Sequence, residues 1–217
     1  MARTGGCRGE VAVLIQPFWL TLGLAVFLAV AGRAFFVRQR ERAYLQDFAR
    51  RHGLNFSPVD LIGLHDRYQN LRIMRTGHSR HVWNVVSGMT PAGRLSLFDY
   101  GLELGFGFRR IRQRWWVAVL ELEMAREGWI AGPADEQGDR PELSAKAGPF
   151  LVRAEHAITI QKLRERGIED LLASAPPDAR FEVRGQLAAV AVPAENKPAS
   201  REQLLKTVME LGSCSAK

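Results

Sequence analysis

Apolar and polar positions divide the chain into two regimes. Val11 to Gly32 reads VAVLIQPFWLTLGLAVFLAVAG, 22 residues without a charge. At a rise of ~1.5 Å per residue, a helix of that length covers roughly 33 Å, enough for a hydrocarbon core of about 30 Å. Gln16 and Thr21 are its clearly polar members, and Pro17 suits a first helical turn, where a backbone N–H is unpaired in any case. This register sets a transmembrane anchor over residues 11–37 with an uncharged core at 11–32, behind a tail at 1–10. Trp19 and Phe35–Phe36 fall toward its two interfaces. Ala29-Val30-Ala31 has the small-x-small form of a signal-peptide cleavage site, with Arg3 and Arg8 as a basic leader. The apolar run is, however, longer than a signal's apolar region of about 7–15 residues, and a good helix continues from Arg33. The reading is therefore an uncleaved anchor.

Behind the anchor the pattern alternates between helix and strand periods. Residues 38–53 read as a juxtamembrane helix with Tyr44, Leu45 and Phe48 on a narrow apolar face and Gly53 as its stop. A soluble domain follows over 54–213, with a tail at 214–217. Asp60 is placed to cap a short helix carrying Leu61, Leu64 and Tyr68. Strand patterns occupy Leu71–Arg75, Val82–Ser87, Arg94–Tyr100 and Arg114–Glu123, with a polar turn expected at His78–His81 and another at Pro91–Gly93. Gly132–Gly148 reads as a loop and Phe150–Arg153 as a short strand. Thr159–Leu172 is helical by pattern, weakened at Gly167 and stopped by Pro176-Pro177. Arg180–Arg184 and Leu187–Val192 flank Gly185-Gln186 as a hairpin would, and a last helix from Ser200 turns Leu204, Leu205, Val208 and Leu211 inward. The fold class is α+β, a mainly antiparallel sheet with one face buried and a few flanking helices.

Charge refines this picture. The net charge is +7, but residues 33–114 hold 15 Lys+Arg against 6 Asp+Glu, net +9, while residues 115–217 hold 13 against 16, net −3. The basic excess follows the anchor, which suits anionic lipid headgroups as a partner. Arg33, Arg38, Arg40 and Arg42 close behind the span, against Arg3 and Arg8 before it, place the C-terminal domain in the cytoplasm and the N-terminus outside by the positive-inside rule. Cys7 and Cys214, one in each terminal tail, imply no disulfide framework.

The order of anchor, charged helix, GLNFSP, GHSRHVWNVVSG and SLFDY resembles a family of uncharacterised bacterial membrane proteins. The resemblance implies one N-terminal span and a cytoplasmic domain. It covers most of the chain, is sharpest from Gly53 to Tyr100, and departs at the Gly-Leu-Glu-Leu-Gly-Phe-Gly-Phe that follows. It carries over no catalytic residues.

Candidate chemistry is sparse. Gly101-x-x-x-Gly105-x-Gly107 lacks the strand-before, helix-after context of a phosphate loop, so a hairpin connection is expected. His78 and His81 lack further nearby metal ligands, and no Ser-His-Asp or Cys-His motif stands out. No cofactor is implied. Asp99, with His81, is the place to look for an enzyme assembled from dispersed residues. The stretch richest in information is Phe106 to Trp116, in which Arg109, Arg110, Arg112 and Arg114 lie between two phenylalanines and Trp115-Trp116. Arginine with an amphipathic ring is what an anionic bilayer interface attracts, and these six residues are the candidate lipid contact. The functional expectation is a membrane-tethered binding module, meeting lipid or an unknown protein partner; nucleic acid fits less well because no recognisable module accompanies the basic residues.

Overall fold

The computed structural model of the chain describes residues 10–133, 144–194 and 201–214, with side chains described for all of these except 10–20 and 214. Arg3, Arg8, Cys7, Ser200 and the centre of the expected 132–148 loop lie outside the described residues. The chain divides into two units, Met1–Tyr44 and Leu45–Lys217.

The first unit is nearly all one helix. Helix α1 runs Glu10–Arg51, 42 residues without a break. From Thr21 onward it is long and apolar enough to cross a membrane, and none of that apolar window is buried against protein. Leu24, Phe27, Leu28, Val30, Phe35 and Phe36 are each more than half exposed. A core helix of a soluble protein would bury such a face.

The second unit begins on the last turns of α1, where Leu45, Phe48 and Ala49 are buried while Tyr44 stays exposed. Its frame is a seven-stranded antiparallel sheet: β1 (Asn55–Val59), β2 (His78–Thr90), β3 (Gly93–Leu104), β4 (Ile111–Pro133), β5 (Ser144–Ala147), β6 (Phe150–Ala154) and β7 (Arg180–Pro193). The order is β1-β2-β3-β4-β6-β5, with β7 also on β4. Strand β4 organises the whole. Trp115–Glu121 pairs with both β3 and β7, whereas Trp129–Ala131 pairs with both β6 and β7, so β6 takes over the edge that β3 leaves. Short helices α2 (Leu64–Arg67) and α3 (Arg72–Arg75) follow β1, α4 (Ala157–Glu165) and α5 (Ile168–Ala173) follow β6, and α6 (Arg201–Cys214) closes the described chain.

The sheet is covered on both faces at its centre, where one buried face was expected. One apolar cluster joins Leu45 and Phe48 of α1 to Leu95, Leu97, Ala118 and Leu120 of the sheet and to Leu204, Val208 and Leu211 of α6. The other packs Leu64, Tyr68, Leu71 and Met74 against Phe98, Tyr100, Trp115 and Val117. Fully burying one such side chain contributes about 1.5–3 kcal/mol. Phe98 and Tyr100 make the second face too apolar to leave in water, so α2 and α3 settle on it. The alternation in Arg94–Tyr100 is real, but its polar members Ser96 and Asp99 are buried too.

Four further expectations are corrected. Leu71–Arg75 is a helical turn rather than a strand: Leu71 and Met74 stand at helical spacing, and docking on the sheet selects that period over the alternating one. His78–His81 belongs to β2, with a bulge where Ser79 takes φ 49°, instead of a free turn. The span 180–193 is one strand, not a hairpin. Both of its halves pair with β4, and Gly185 at φ 59° with a bulge in β4 absorbs the bend that a turn would have made. Gly132 and Ser144–Ala147 are strand residues at the margins of the expected loop, because β4 runs on to meet β6. The expected 159–172 helix appears as α4 and α5, separated at Gly167.

Candidate functional site

Chemistry-bearing side chains collect at the β2–β3–β4 end of the sheet, on the face shared with α6. In an antiparallel ladder, residues opposite one another project to the same side. Register therefore stacks three rows there: Trp83, Asp99 and Trp116; then His81, Gly101 and Arg114; then His78, Glu103 and Arg112.

Asp99 anchors the innermost row. It is fully buried, and its carboxylate accepts from Asn84 Nδ2 at 2.6 Å, from an Arg114 guanidinium nitrogen at 2.8 Å and from an Arg201 guanidinium nitrogen at 2.8 Å. Asn84 reaches it because the β2 bulge places this residue at φ 52°, a left-handed conformation that asparagine tolerates. Arg201, 5% exposed, also lies over the Trp116 ring at 5.0 Å. Arg114 lies 5.4 Å from the centre of the Trp83 ring, and Trp83 stacks on His81 at 4.6 Å. Gly101 makes that stack possible: a Cβ there would stand 2.5 Å from His81 Cε1 and 2.8 Å from Trp83 Cζ3.

This arrangement is a buried ion cluster tying the start of α6 to the sheet. A general base needs one lone pair turned toward a substrate. Asp99 has no solvent-exposed surface and three donors already on it. Nothing about Arg201 in the sequence pointed to this role, because it lies 102 positions from its partner.

The outer row is different in character. Glu103 pairs with Arg112 at 2.8 Å and Arg110 at 3.4 Å, and the Arg112 hydrogen bond, with Arg110 adding to it, holds the Glu103 carboxyl below its ordinary value. His78 Nε2 donates to the Gly105 carbonyl at 2.6 Å, and its ring stacks on Phe106 at 4.9 Å. Beyond it the β3–β4 hairpin turns through a short 3-10 segment, Gly107–Arg109. Phe106 is 81% exposed, Phe108 entirely so and Ile111 60% exposed, with Arg109 and Arg110 exposed among them.

The six residues singled out in the sequence are thus divided. Arg109, Arg110 and Arg112 are at the exposed hairpin end, and Arg114 is held by Asp99. Trp115 points to the opposite face and is buried under Arg180, 4.8 Å from its ring centre. Trp116 is half-buried beneath Arg201. The tryptophans therefore serve packing, and the exposed rings are Phe106 and Phe108. Their position in a tight turn is the signal that would have found them.

No protein-family model matches the chain, and no curated protein does. Among solved structures, the chain is similar to the mycobacterial trehalose monomycolate transport factor A, TtfA, with a TM-score of 0.61 and 15% identity over 80% of this chain and 93% of that one. The likeness is one of fold.

Proposed function

We propose that this chain is a single-pass, non-enzymatic membrane protein whose second unit is a cytoplasmic binding module, and that the β3–β4 hairpin end is its contact with an anionic lipid surface. The observation that carries the reading is the pairing, on one exposed turn, of Phe106, Phe108 and Ile111 with Arg109 and Arg110. Withdrawing each apolar ring at the tip fully from water favours binding by about 1.5–3 kcal/mol, and each arginine near an anionic surface adds on the order of 1 kcal/mol. Arg33, Arg38, Arg40 and Arg42 behind the span support the cytoplasmic placement. The tether raises the effective concentration of lipid around the unit, so a weak contact suffices. A transport factor is built on the same fold, which supports binding over catalysis and leaves room for a protein partner beside lipid.

Every residue of both apolar clusters lies from Leu45 onward, so a fragment of residues 38–217 keeps its core. That fragment is expected to sediment with vesicles containing phosphatidylglycerol and to stay in solution with pure phosphatidylcholine. Replacing Phe106 and Phe108 by Ser, with Arg109 and Arg110 by Gln, is expected to abolish the sedimentation. Undiminished binding by that variant rejects the hairpin as the contact.

A further inference from the structure

The turn between β1 and α2 holds three apolar side chains in solvent. Val59, Leu61 and Ile62 are each more than half exposed, while Leu64, the next apolar residue, is fully buried. The turn is fixed locally. The Asp60 carboxylate accepts the Ile62 N–H at 3.3 Å and the Leu64 N–H at 2.8 Å, and Gly63 takes a left-handed φ of 66° at the start of α2. Both carboxylate oxygens are thus engaged inside the turn, and turning Leu61 and Ile62 inward would break that cap. Single exposed apolar residues are ordinary on a surface, but three close together on a capped turn form a patch that water solvates poorly.

Register places this turn toward the hairpin end of the sheet. Strand β1 lies beside β2, with Val59 opposite Trp83. Chain direction in an antiparallel pair then carries residues 60–62 toward the His78 end of β2. His78 faces Glu103, at the base of the hairpin that bears Phe106 and Phe108. From Trp83 to His78 is about 16 Å of strand at ~3.3 Å per residue, and β3 lies two strands away from β1. A flat surface that reaches both turns therefore meets the strands obliquely. Arg80, on the intervening strand, donates to the Gly77 carbonyl at 2.9 Å and the Met74 carbonyl at 3.1 Å, neutral acceptors that hold the side chain without cancelling its charge. Met89, also exposed, stands at the opposite end of β2, paired with Arg94.

We propose that the 59–62 turn is a second insertion point into the anionic bilayer that the hairpin meets, so that the unit docks in one fixed, oblique orientation; this rests on the hairpin reading. A lipid surface is the occupant that fits both chemistries. Its interface takes in the apolar turn, and its anionic headgroups complement Arg80 between the two points and Arg109 and Arg110 on the hairpin. The turn has no arginine of its own, so it strengthens and orients the hairpin contact and does not replace it.

The test uses an environment-sensitive nitrobenzoxadiazole label on the 38–217 fragment, which excludes Cys7. The fragment carries Cys214→Ser and one of Leu61→Cys, Phe108→Cys or Met89→Cys. Vesicles of mixed phosphatidylglycerol and phosphatidylcholine are expected to shift the emission to the blue at positions 61 and 108 and not at 89. Pure phosphatidylcholine is expected to leave all three unchanged. Leu61→Ser with Ile62→Ser is expected to weaken sedimentation with the mixed vesicles by about tenfold, while a label at 108 still shifts at saturating lipid. A label at 61 that stays in water while the one at 108 shifts overturns this inference and leaves the hairpin contact standing. A shift at 61 without one at 108, or at neither position, refutes the hairpin reading and this inference with it. A shift at 89 equal to that at 61 marks indiscriminate adhesion and overturns the fixed orientation, and sedimentation indifferent to the two serines overturns the second contact.

Discussion

Asp99→Asn is the most informative single change, because it separates a structural ion cluster from a catalytic carboxylate. The substitution keeps size and shape but removes the charge and replaces one acceptor oxygen with a donor. An asparagine has one acceptor oxygen, so at least one of Asn84, Arg114 and Arg201 loses its partner. The cost falls chiefly on Arg201, whose side chain is only 5% exposed where it meets the carboxylate. Leaving one member of a buried pair uncompensated costs about 3–5 kcal/mol. Arg114, with 37% of its side chain exposed, adds little because solvent takes over its role. Against a total stability of about 5–15 kcal/mol this is a large fraction. Urea unfolding of the 38–217 fragment, followed by tryptophan fluorescence, is expected to shift its midpoint down by about 2 M for a slope of about 2 kcal/mol/M. Arg201→Met on the Asp99→Asn background is expected to recover part of the loss, since removing both charges is far less costly than stranding one. A midpoint change equivalent to less than about 0.5 kcal/mol, or strict additivity of the two substitutions, refutes the reasoning and returns Asp99 to the pool of candidate bases.

Three other perturbations probe the packing around it. Tyr68, whose hydroxyl burial pushes up to about 12, donates to Glu121 at 2.8 Å and lies 3.0 Å from Ser96 Oγ; Tyr68→Phe is expected to cost about 1–2 kcal/mol in the same urea assay. Burial raises the Glu182 carboxyl above its ordinary 4.5, against the opposing backbone hydrogen bond from Arg72, so the folded state binds that proton more tightly than the unfolded chain does. Its contribution is therefore favourable in acid and is lost as pH rises through the folded value. Glu182→Gln is expected to raise Tm at neutral pH, with the gain shrinking as pH falls through the raised folded value and gone below the ordinary 4.5; a gain that is independent of pH contradicts the assignment. Gly101→Ala is expected to push His81 off Trp83, costing about 1–3 kcal/mol and changing tryptophan emission.

Several features were legible in the amino-acid order because they depend on neighbours a few residues away. Val11–Gly32 must find an apolar environment whatever the rest does, and α1 carries it as one helix. The turn at Pro91, the strand through Arg94–Tyr100 and the inward stripe of Leu204, Val208 and Leu211 were equally local, and all reappear in the structure. So did the antiparallel α+β class.

Tertiary structure alone decided the rest. Leu71–Arg75 has a pattern that fits two periods, and the sheet face it docks against chose the helical one. Gly185 is a turn signal and a bulge signal alike, and the length of β4 determined which. Trp115 and Trp116 are adjacent and chemically identical, yet alternation across a sheet covered on both faces sends one into the core beneath Arg180 and the other beneath Arg201. Arg201 meets Asp99 only because a strand and a helix far apart in sequence pack on one another. A short-range pattern records what each residue can become; burial and charge pairing across long sequence separations select which it does become.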